Sequence, residues 1–417
     1  HRGENLRRVC DAIRFAVADG MTACAVGWQS PPFLGYTSLP MHEKCQVILK
    51  PREDRRLLRG HLWAYRNEFA VMPKLPDGAV VDVVSETGRL VGRGFYQSEG
   101  GIAVRILARK SVDVDADFFL HRIVRALRFR QRLFPGQTSY RWIHGESDGL
   151  PGLMADRYGG LVSAQTSCSF YRQRADELAQ AFLAQDGVTG VRLQAGSETV
   201  RFGEVPAELT AEIDGLVLTA DLEGGQKTGL FLDQRWNSQR LAAFAPGARV
   251  LDAHCYVGLW SCRLALQGAA SVFGVDSSQQ AIDHARRNAE RNGVGDRCAF
   301  ERADVSETLQ RGDRYDIVLL DPPALAKGRG SAAKALGLYQ SLNRDAMAAV
   351  EPGGFLVTSS CSHAVDLDSF FEAIKRAARA LQRDVWILET RGAAPDHPVL
   401  AAMPETAYLK TMMLRVF

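Results

Sequence analysis

Hydrophobic positions in the second half of the chain fall into short dense runs separated by amphipathic stretches. Arg249–Ala253, Ser271–Val275, Cys298–Glu301, Ile317–Leu320, Phe355–Ser359, Val385–Glu389 and Leu409–Val416 are runs of strand length. Runs this short, apolar and bounded by turn residues read as strands buried on both faces. Between them, Gly258–Gln267, Gln279–Asn292, Ala332–Val350 and Leu367–Leu381 carry apolar residues at helical spacing. Such alternation predicts a doubly wound α/β domain over 241–417, with a seven-stranded, mostly parallel, Rossmann-like sheet.

The front half is patterned differently. Cys45–Leu49, Val80–Ser85, Leu90–Tyr96 and Ala103–Ala108 are short strands joined by Gly-rich turns, which predicts a small β-rich domain over 41–115. Phe118, Phe119, Ile123, Leu127 and Leu133 then recur at helical spacing up to a stop at Pro135-Gly136. The remainder of 116–240 reads as an intermediate α+β domain. It has strands at Leu161–Thr166 and Gly190–Leu193, a helix at Tyr171–Gln185 and a hairpin around Asp148–Gly159. Residues 1–40 read as an N-terminal extension, with a short helix over Leu6–Ala18 and a Pro/Gly/Ser-rich loop after it.

Composition narrows the class. The 417 residues are 46% hydrophobic and 24% charged, as in a soluble globular protein. No stretch reaches the roughly 18 uninterrupted apolar residues of a membrane helix, so no membrane partner is expected. None of the eight cysteines forms a CxxC pair, which argues against a zinc ribbon or a dithiol redox motif. A chain this long does not need disulfides, and reduced thiols in a cytoplasmic setting are expected. The net charge of +3 is uneven: 18 Lys+Arg face 11 Asp+Glu over 41–135, net +7, against 29 and 34 over 136–417, net −5. A basic front on an acidic body suits a polyanion-docking module attached to an enzyme. In that front, Lys50, Arg52, Arg55, Arg56, Arg59, His61 and Arg66 cluster around Trp63 and Tyr65. Cations for phosphates and rings for bases fit RNA, although Trp63 and Tyr65 read equally well as core. The arginines at 122, 125, 128, 130 and 132 extend the same basic surface or form a solvated helix face.

The candidate chemistry lies at the carboxyl ends of the predicted parallel strands, where open α/β sheets bind ligands. Val250–Gly258 is a strand, a loop and a helix start, and it lacks the GxGxxG of a dinucleotide site. Asp276 ends the next strand with a carboxylate suited to ribose hydroxyls. Asp304 offers another to an adenine amine. Asp321-Pro322-Pro323 adds a third in a turn stiffened by two prolines. Each Asp alone also reads as a helix N-cap. The ordered series, with no phosphate cradle, suits a cationic adenosine ligand such as S-adenosyl-L-methionine. The expected cofactor contacts are Asp252, Tyr256, Gly258, Asp276, Ser277, Asp304, Asp321 and Pro322. Phe231 and Asp233 join them from Gln226–Arg235, a segment expected to pass over the pocket. Cys361, in Ser359-Ser360-Cys361-Ser362-His363, leaves the fifth strand at the same edge and is expected to face Asp321. A pyrimidine C5 takes up a methyl group only after a nucleophile has added at C6, and a thiolate does this.

Leu58–Ala64 and Gly92–Tyr96 resemble segments of a PUA domain, a small RNA-binding β-barrel. With them, Lys227–Arg235, Val275–Ser278, Leu320–Ala324, Ser360–Ser362 and the Ala394–Pro398 and Tyr408–Lys410 tail resemble the PUA-containing ribosomal RNA cytosine-5 methyltransferases of the large subunit. The resemblance covers about Cys45–Phe417. It implies a class I methyltransferase domain behind PUA and intermediate domains, with large-subunit ribosomal RNA as partner. By it Cys361 is the nucleophile, and Asp276, Asp304 and Asp321 line the cofactor and base pocket. Arg55, Arg59, His61, Trp63 and Arg93 are the candidate RNA contacts. Oligomeric state stays open, a homodimer included. One departure stands out. The family's first loop runs roughly Cys-Phe-Ser-Tyr-Thr-Gly, whereas here it is Ala253-His254-Cys255-Tyr256-Val257-Gly258. Two alternatives remain at this level: guanine N-methylation without a thiol, and a non-catalytic RNA-binding assembly factor.

Overall fold

The computed structural model describes residues 45–222, 228–326 and 329–417, all within one compact unit. The expected extension at 1–40, with its helix, lies outside the described residues, as do Gln226, Lys227, Lys327 and Gly328.

The front domain is a six-stranded sheet of β1 (Gln46–Leu49), β2 (Trp63–Tyr65), β3 (Phe69–Val71), β4 (Val80–Val84), β5 (Leu90–Tyr96) and β6 (Ile102–Ala108), with a short helix α1 (Asp54–Leu58). Its order is β2-β6-β5-β4-β1-β3, and only the β1–β4 pair is parallel. Val47, Leu49, Leu57, Ala64, Phe69, Val81 and Val83 fill its core. Three expected RNA contacts are used inside the protein instead. Arg93 is buried and clamps Asp82 through two bonds of 2.7 and 2.9 Å, with a third to the Val112 carbonyl. Trp63 donates its indole N–H to Glu146 at 2.7 Å beneath the Arg105 guanidinium, tying the front domain to the intermediate one. His61 is buried between Arg56 and Glu405, next to the Met403 sulfur that accepts from the Leu62 amide. Arg55 and Arg59 remain exposed. Aromatic and basic residues serve domain docking as well as RNA, and the sequence pattern is the same for both.

In the intermediate domain, α2 (Ala116–Leu133) starts at Asp115, whose carboxylate accepts from the Phe118 amide, an N-cap. It packs on a sheet of β7 (Ser139–His144), β8 (Leu153–Tyr158), β9 (Leu161–Thr166), β10 (Gly190–Ala195) and β11 (Glu198–Gly203), ordered β11-β10-β9-β8-β7. The helix expected at Tyr171–Gln185 is broken into α3 (Ser169–Arg172) and α4 (Ala175–Leu183), and Arg174 between them stacks over Phe170. Phe119, Ile123, Trp142 and Phe182 are buried together. Arg130, expected on a basic surface, is wholly buried. It grips Asp148 bidentately at 2.6 and 2.8 Å and donates to the Asp396 carbonyl at 2.7 Å.

The last domain runs α5 (Arg235–Ala242), β14 (Arg249–Ala253), α6 (Leu259–Leu266), β15 (Ser271–Asp276), α7 (Gln279–Arg291), β16 (Cys298–Arg302), α8 (Val305–Leu309), β17 (Tyr315–Leu320), α9 (Ala332–Ala348), β18 (Val350–Ser360), α10 (Leu367–Ala380), β19 (Val385–Arg391) and β20 (Lys410–Val416). The sheet order is β16-β15-β14-β17-β18-β20-β19, with β20 antiparallel to both neighbours. The chain therefore reverses its winding between β14 and β17, which opens a crevice at their carboxyl ends. The hairpin β12 (Glu208–Ile213) and β13 (Leu216–Asp221) belongs physically to this domain, not to the intermediate one. Leu209, Ile213, Leu216 and Leu218 join the core of β14 and α6, and the Asn288 and Asn292 amides of α7 bond the β13 backbone.

Replacing Arg130 with Ala leaves the Asp148 charge buried and unpaired. The expected cost is about 3–5 kcal/mol, read by urea denaturation. A loss under 1 kcal/mol refutes this role.

Candidate active site

The loop after β14 is shaped by backbone as much as by side chains. His254 and Tyr256 hold φ of 67° and 49°, and Gly258 holds 83° at the N-cap of α6. Left-handed backbone at non-glycine residues is uncommon and gathers at functional sites. A Cβ on Gly274, one strand over, would sit 2.5 Å from the Phe300 ring and 3.2 Å from the Cys255 sulfur, so only glycine lets the loop approach β15. Asp276 at the tip of β15 closes the loop: Oδ2 accepts from the Tyr256 amide at 3.1 Å and Oδ1 from the Ser278 amide at 2.9 Å. The Tyr256 hydroxyl donates to the Gly229 carbonyl at 2.7 Å, and its ring meets Phe231 edge-on at 5.1 Å. The 228–234 segment is thereby drawn toward the carboxyl edge of the sheet, beside the first loop.

Asp321 and Cys361 end neighbouring strands. β17 and β18 pair through Leu320 and Thr358, so Asp321 follows directly and Cys361 lies one residue past the end of β18. One amide joins the two strand ends. Gln234 Nε2 donates to Asp321 Oδ2 and to Ser359 Oγ, both at 3.0 Å, while its Oε1 accepts from Asn237 at 2.7 Å. Cys361 is half-buried, and the loop after it is fixed from two sides. Ser362 Oγ accepts from the Ala326 amide at 3.2 Å and lies 3.0 Å from the Tyr339 hydroxyl. Lys410 Nζ donates to the Ser362 and Tyr408 carbonyls, each at 2.8 Å.

The remaining expected contacts divide. Pro322 is buried behind Asp321, and Ser277 is exposed beside Asp276. Asp304 is exposed and caps α8 through the Glu307 amide at 3.1 Å. Two are buried and bonded within the protein through one carboxylate oxygen. Asp252 is fully buried, with Oδ2 taken by the Ser261 amide at 3.1 Å and hydroxyl at 2.6 Å. Burial pushes its carboxyl up to about 6, against the Ser261 bonds. Asp233 is buried and accepts from the Tyr408 hydroxyl. Gln234, Tyr408 and Lys410 went unrecognised as site residues, although each stood within a quoted motif, because their roles are contacts made over more than 45 residues.

The PUA-like domain family matches residues 47–109, and the S-adenosylmethionine-dependent methyltransferase family matches residues 192–415. Relatives align with the chain over nearly their whole length. The ribosomal RNA large subunit methyltransferase I of Shewanella amazonensis is 35% identical over 393 residues, covering 89% of this chain and 99% of its own. That of Shewanella denitrificans is 36% identical over 394 residues, with the same coverage. The chain belongs to the PUA-containing, S-adenosylmethionine-dependent ribosomal RNA large subunit methyltransferases. Among solved structures, a Streptococcus mutans protein described as a S-adenosylmethionine-dependent methyltransferase has the same fold, with TM-score 0.78 at 20% identity over 89% of this chain and 100% of that one. Another methyltransferase structure, complexed with SAH, gives TM-score 0.78 at 21% identity over 89% and 99%.

The crevice of this methyltransferase suits its cofactor. His254 Nε2 is buried without a hydrogen-bond partner among the described residues, within electrostatic reach of Asp276 and Asp304. Burial holds the ring below its ordinary value despite those carboxylates, so it is neutral at pH 7 and offers a donor or an acceptor. Tyr256, Asp276 and Phe231 surround the same loop.

Asp252→Asn tests that burial. A carboxyl raised in the folded state contributes stability below its unfolded value near 4 and loses it as pH rises through about 6. The variant is expected to match wild type at pH 4 and to exceed it by on the order of 2 kcal/mol at pH 8 in chemical denaturation. No pH-dependent gap means that Asp252 is not buried and strained. Gln234→Leu is expected to reduce kcat about ten-fold or more while the dissociation constant for S-adenosylmethionine moves less than three-fold, because Asp321 loses the amide that orients it. An unchanged kcat removes Gln234 from the site.

Proposed function

We propose that this methyltransferase modifies C5 of a cytosine in large-subunit ribosomal RNA, with Cys361 as covalent nucleophile and Asp321 holding the base. The observation that carries the reading is a thiol and a carboxylate at the tips of adjacent strands, whose ends Gln234 ties together through Asp321 and Ser359, at the crevice beside the first loop. Cys361 forms a bond to C6, which makes C5 an enamine-like carbon. Bound S-adenosylmethionine supplies the electrophilic methyl group for that carbon. Asp321 hydrogen-bonds the N3 edge and steadies the adduct. Removal of the C5 proton by a base then re-forms the double bond as the C6–sulfur bond breaks and the thiolate leaves. Guanine N-methylation would need no thiol at this position. The front domain, with exposed Arg55 and Arg59, supplies phosphate contacts. The reading sets the protein in the cytoplasm, with ribosomal RNA as its partner. No described helix is long and apolar enough to cross a membrane.

Cys361→Ala is expected to abolish 5-methylcytidine formation from labelled S-adenosylmethionine on unmodified large-subunit RNA, with RNA affinity kept within about two-fold. Full activity in that variant overturns covalent catalysis, and label in another nucleoside overturns the choice of base. Arg55→Ala and Arg59→Ala are each expected to lower the slope of log affinity against log salt by about 1, with no change in the position methylated. Unchanged slopes move the RNA path elsewhere.

A further inference from the structure

We infer that Lys410 is a positioning residue for the reaction, its ammonium holding Cys361 as a thiolate. This rests on the reading above in one respect, that Cys361 is the nucleophile. Lys410 opens β20 directly opposite Ser360 of β18, so its side chain starts beside the strand end that presents Cys361. It is only 8% exposed. Its Nζ donates to the carbonyl of Ser362, the residue after Cys361, and to the Tyr408 carbonyl of its own approach to the strand. Both bonds, 2.8 Å each, go to neutral oxygens. Among the described residues no carboxylate forms an ion pair with it.

A buried ammonium without a carboxylate needs an anion from elsewhere. Burial brings Lys410 down to about 8, and the groups that oppose that fall are Cys361 first and Asp366 second. Asp366 is exposed and is occupied as the N-cap of α10, bonded to the Ser369 amide at 2.7 Å. The other titratable groups nearby are His363 and Tyr408, whose rings lie 5.6 Å apart, and Tyr339, raised by burial and bonded to the same serine turn. Tyrosine and histidine supply no negative charge at pH 7, and the Asp366 carboxylate sits at the exposed helix end, so the cysteine sulfur is the anion-forming group set beside the buried ammonium. The step is an ionisation: the Cys361 S–H bond breaks, the electron pair stays on sulfur and the proton passes to water. A thiolate beside a cation forms at lower pH than a lone one, and thiolate is the form that adds to C6.

The test is alkylation of the full-length protein by iodoacetamide from pH 5.5 to 9.5, followed at each cysteine by peptide mass spectrometry. In Lys410→Met the midpoint for Cys361 is expected to rise by about one pH unit, which makes its alkylation about ten-fold slower at pH 7. Lys410→Arg, which keeps the charge, is expected to restore most of that rate. Buried Cys255 and Cys262 report on folding, because a loosened protein alkylates them faster whereas a lost charge does not. An unchanged Cys361 midpoint in Lys410→Met overturns the inference, and so does a change that appears only together with exposure of Cys255 and Cys262. If Cys361→Ala still methylates, the covalent reading fails whatever the alkylation shows. If Cys361→Ala is inactive and the midpoint does not move, only the role of Lys410 fails.

Discussion

Two arginines held out of water organise this molecule. Arg130 of α2 and Arg141 of β7 each grip a buried carboxylate through two bonds, Asp148 and Asp156 respectively. Both also reach the methyltransferase domain, since Arg130 donates to the Asp396 carbonyl and the Arg141 amide donates to the Asp396 carboxylate. Desolvated charges tolerate no missing partner, so the relative placement of the two domains is set by bond geometry and not by a sliding apolar contact. His397 closes the cluster on Asp396 at 2.9 Å. The neighbouring His144 is kept neutral by burial, with His397, Arg141 and Arg130 adding to the effect.

From that anchor the catalytic wall can be followed bond by bond. Asp156 also accepts from Thr228, and Tyr158 brackets Leu230 through both its amide and its carbonyl. The segment that follows carries Asp233, bonded to Tyr408, and Gln234, bonded to Asp321 and Ser359. A parallel sheet alone offers strand tips in a row. Here the intermediate domain holds the 228–234 segment beside them, and the C-terminal strand β20 returns with Lys410 bonded to the Ser362 carbonyl. The candidate site is therefore shared among four stretches that are distant in sequence: 228–234, 253–258, 320–322 and 359–363.

The strands of the methyltransferase sheet were legible because a sheet covered on both faces has to be apolar throughout, and Ile317–Leu320 or Val250–Leu251 admit few other readings. β7 was not legible for the opposite reason. Ser139, Arg141 and His144 are all buried, yet they are polar, so no alternation marks the strand. The hairpin at 208–221 escaped because its apolar face is covered by α7 and α6, which lie later in the chain. The internal bonds of Arg93, Trp63 and His61 were hidden for a related reason: a cation or an aromatic ring looks the same in sequence whether it meets a phosphate or a buried Asp82 or Glu146.

By itself the sequence determined what short-range physics encodes: strand and helix periodicity, the turn at Asp321-Pro322-Pro323, the sharp loop ending at Gly258, and the Cys361 thiol placed after the fifth strand. Those features suffice for the fold of the methyltransferase domain and for naming the candidate acids and thiol at its edge. Only the tertiary structure decided which of those acids face the crevice. Asp252 and Asp276 stand on adjacent strands with the same chemistry, yet one is sealed against Ser261 and the other shapes the cofactor loop. It also decided which cations are surface and which are scaffold. That choice depends on whether a partner many residues away removes the water from a charge, and no local pattern records it.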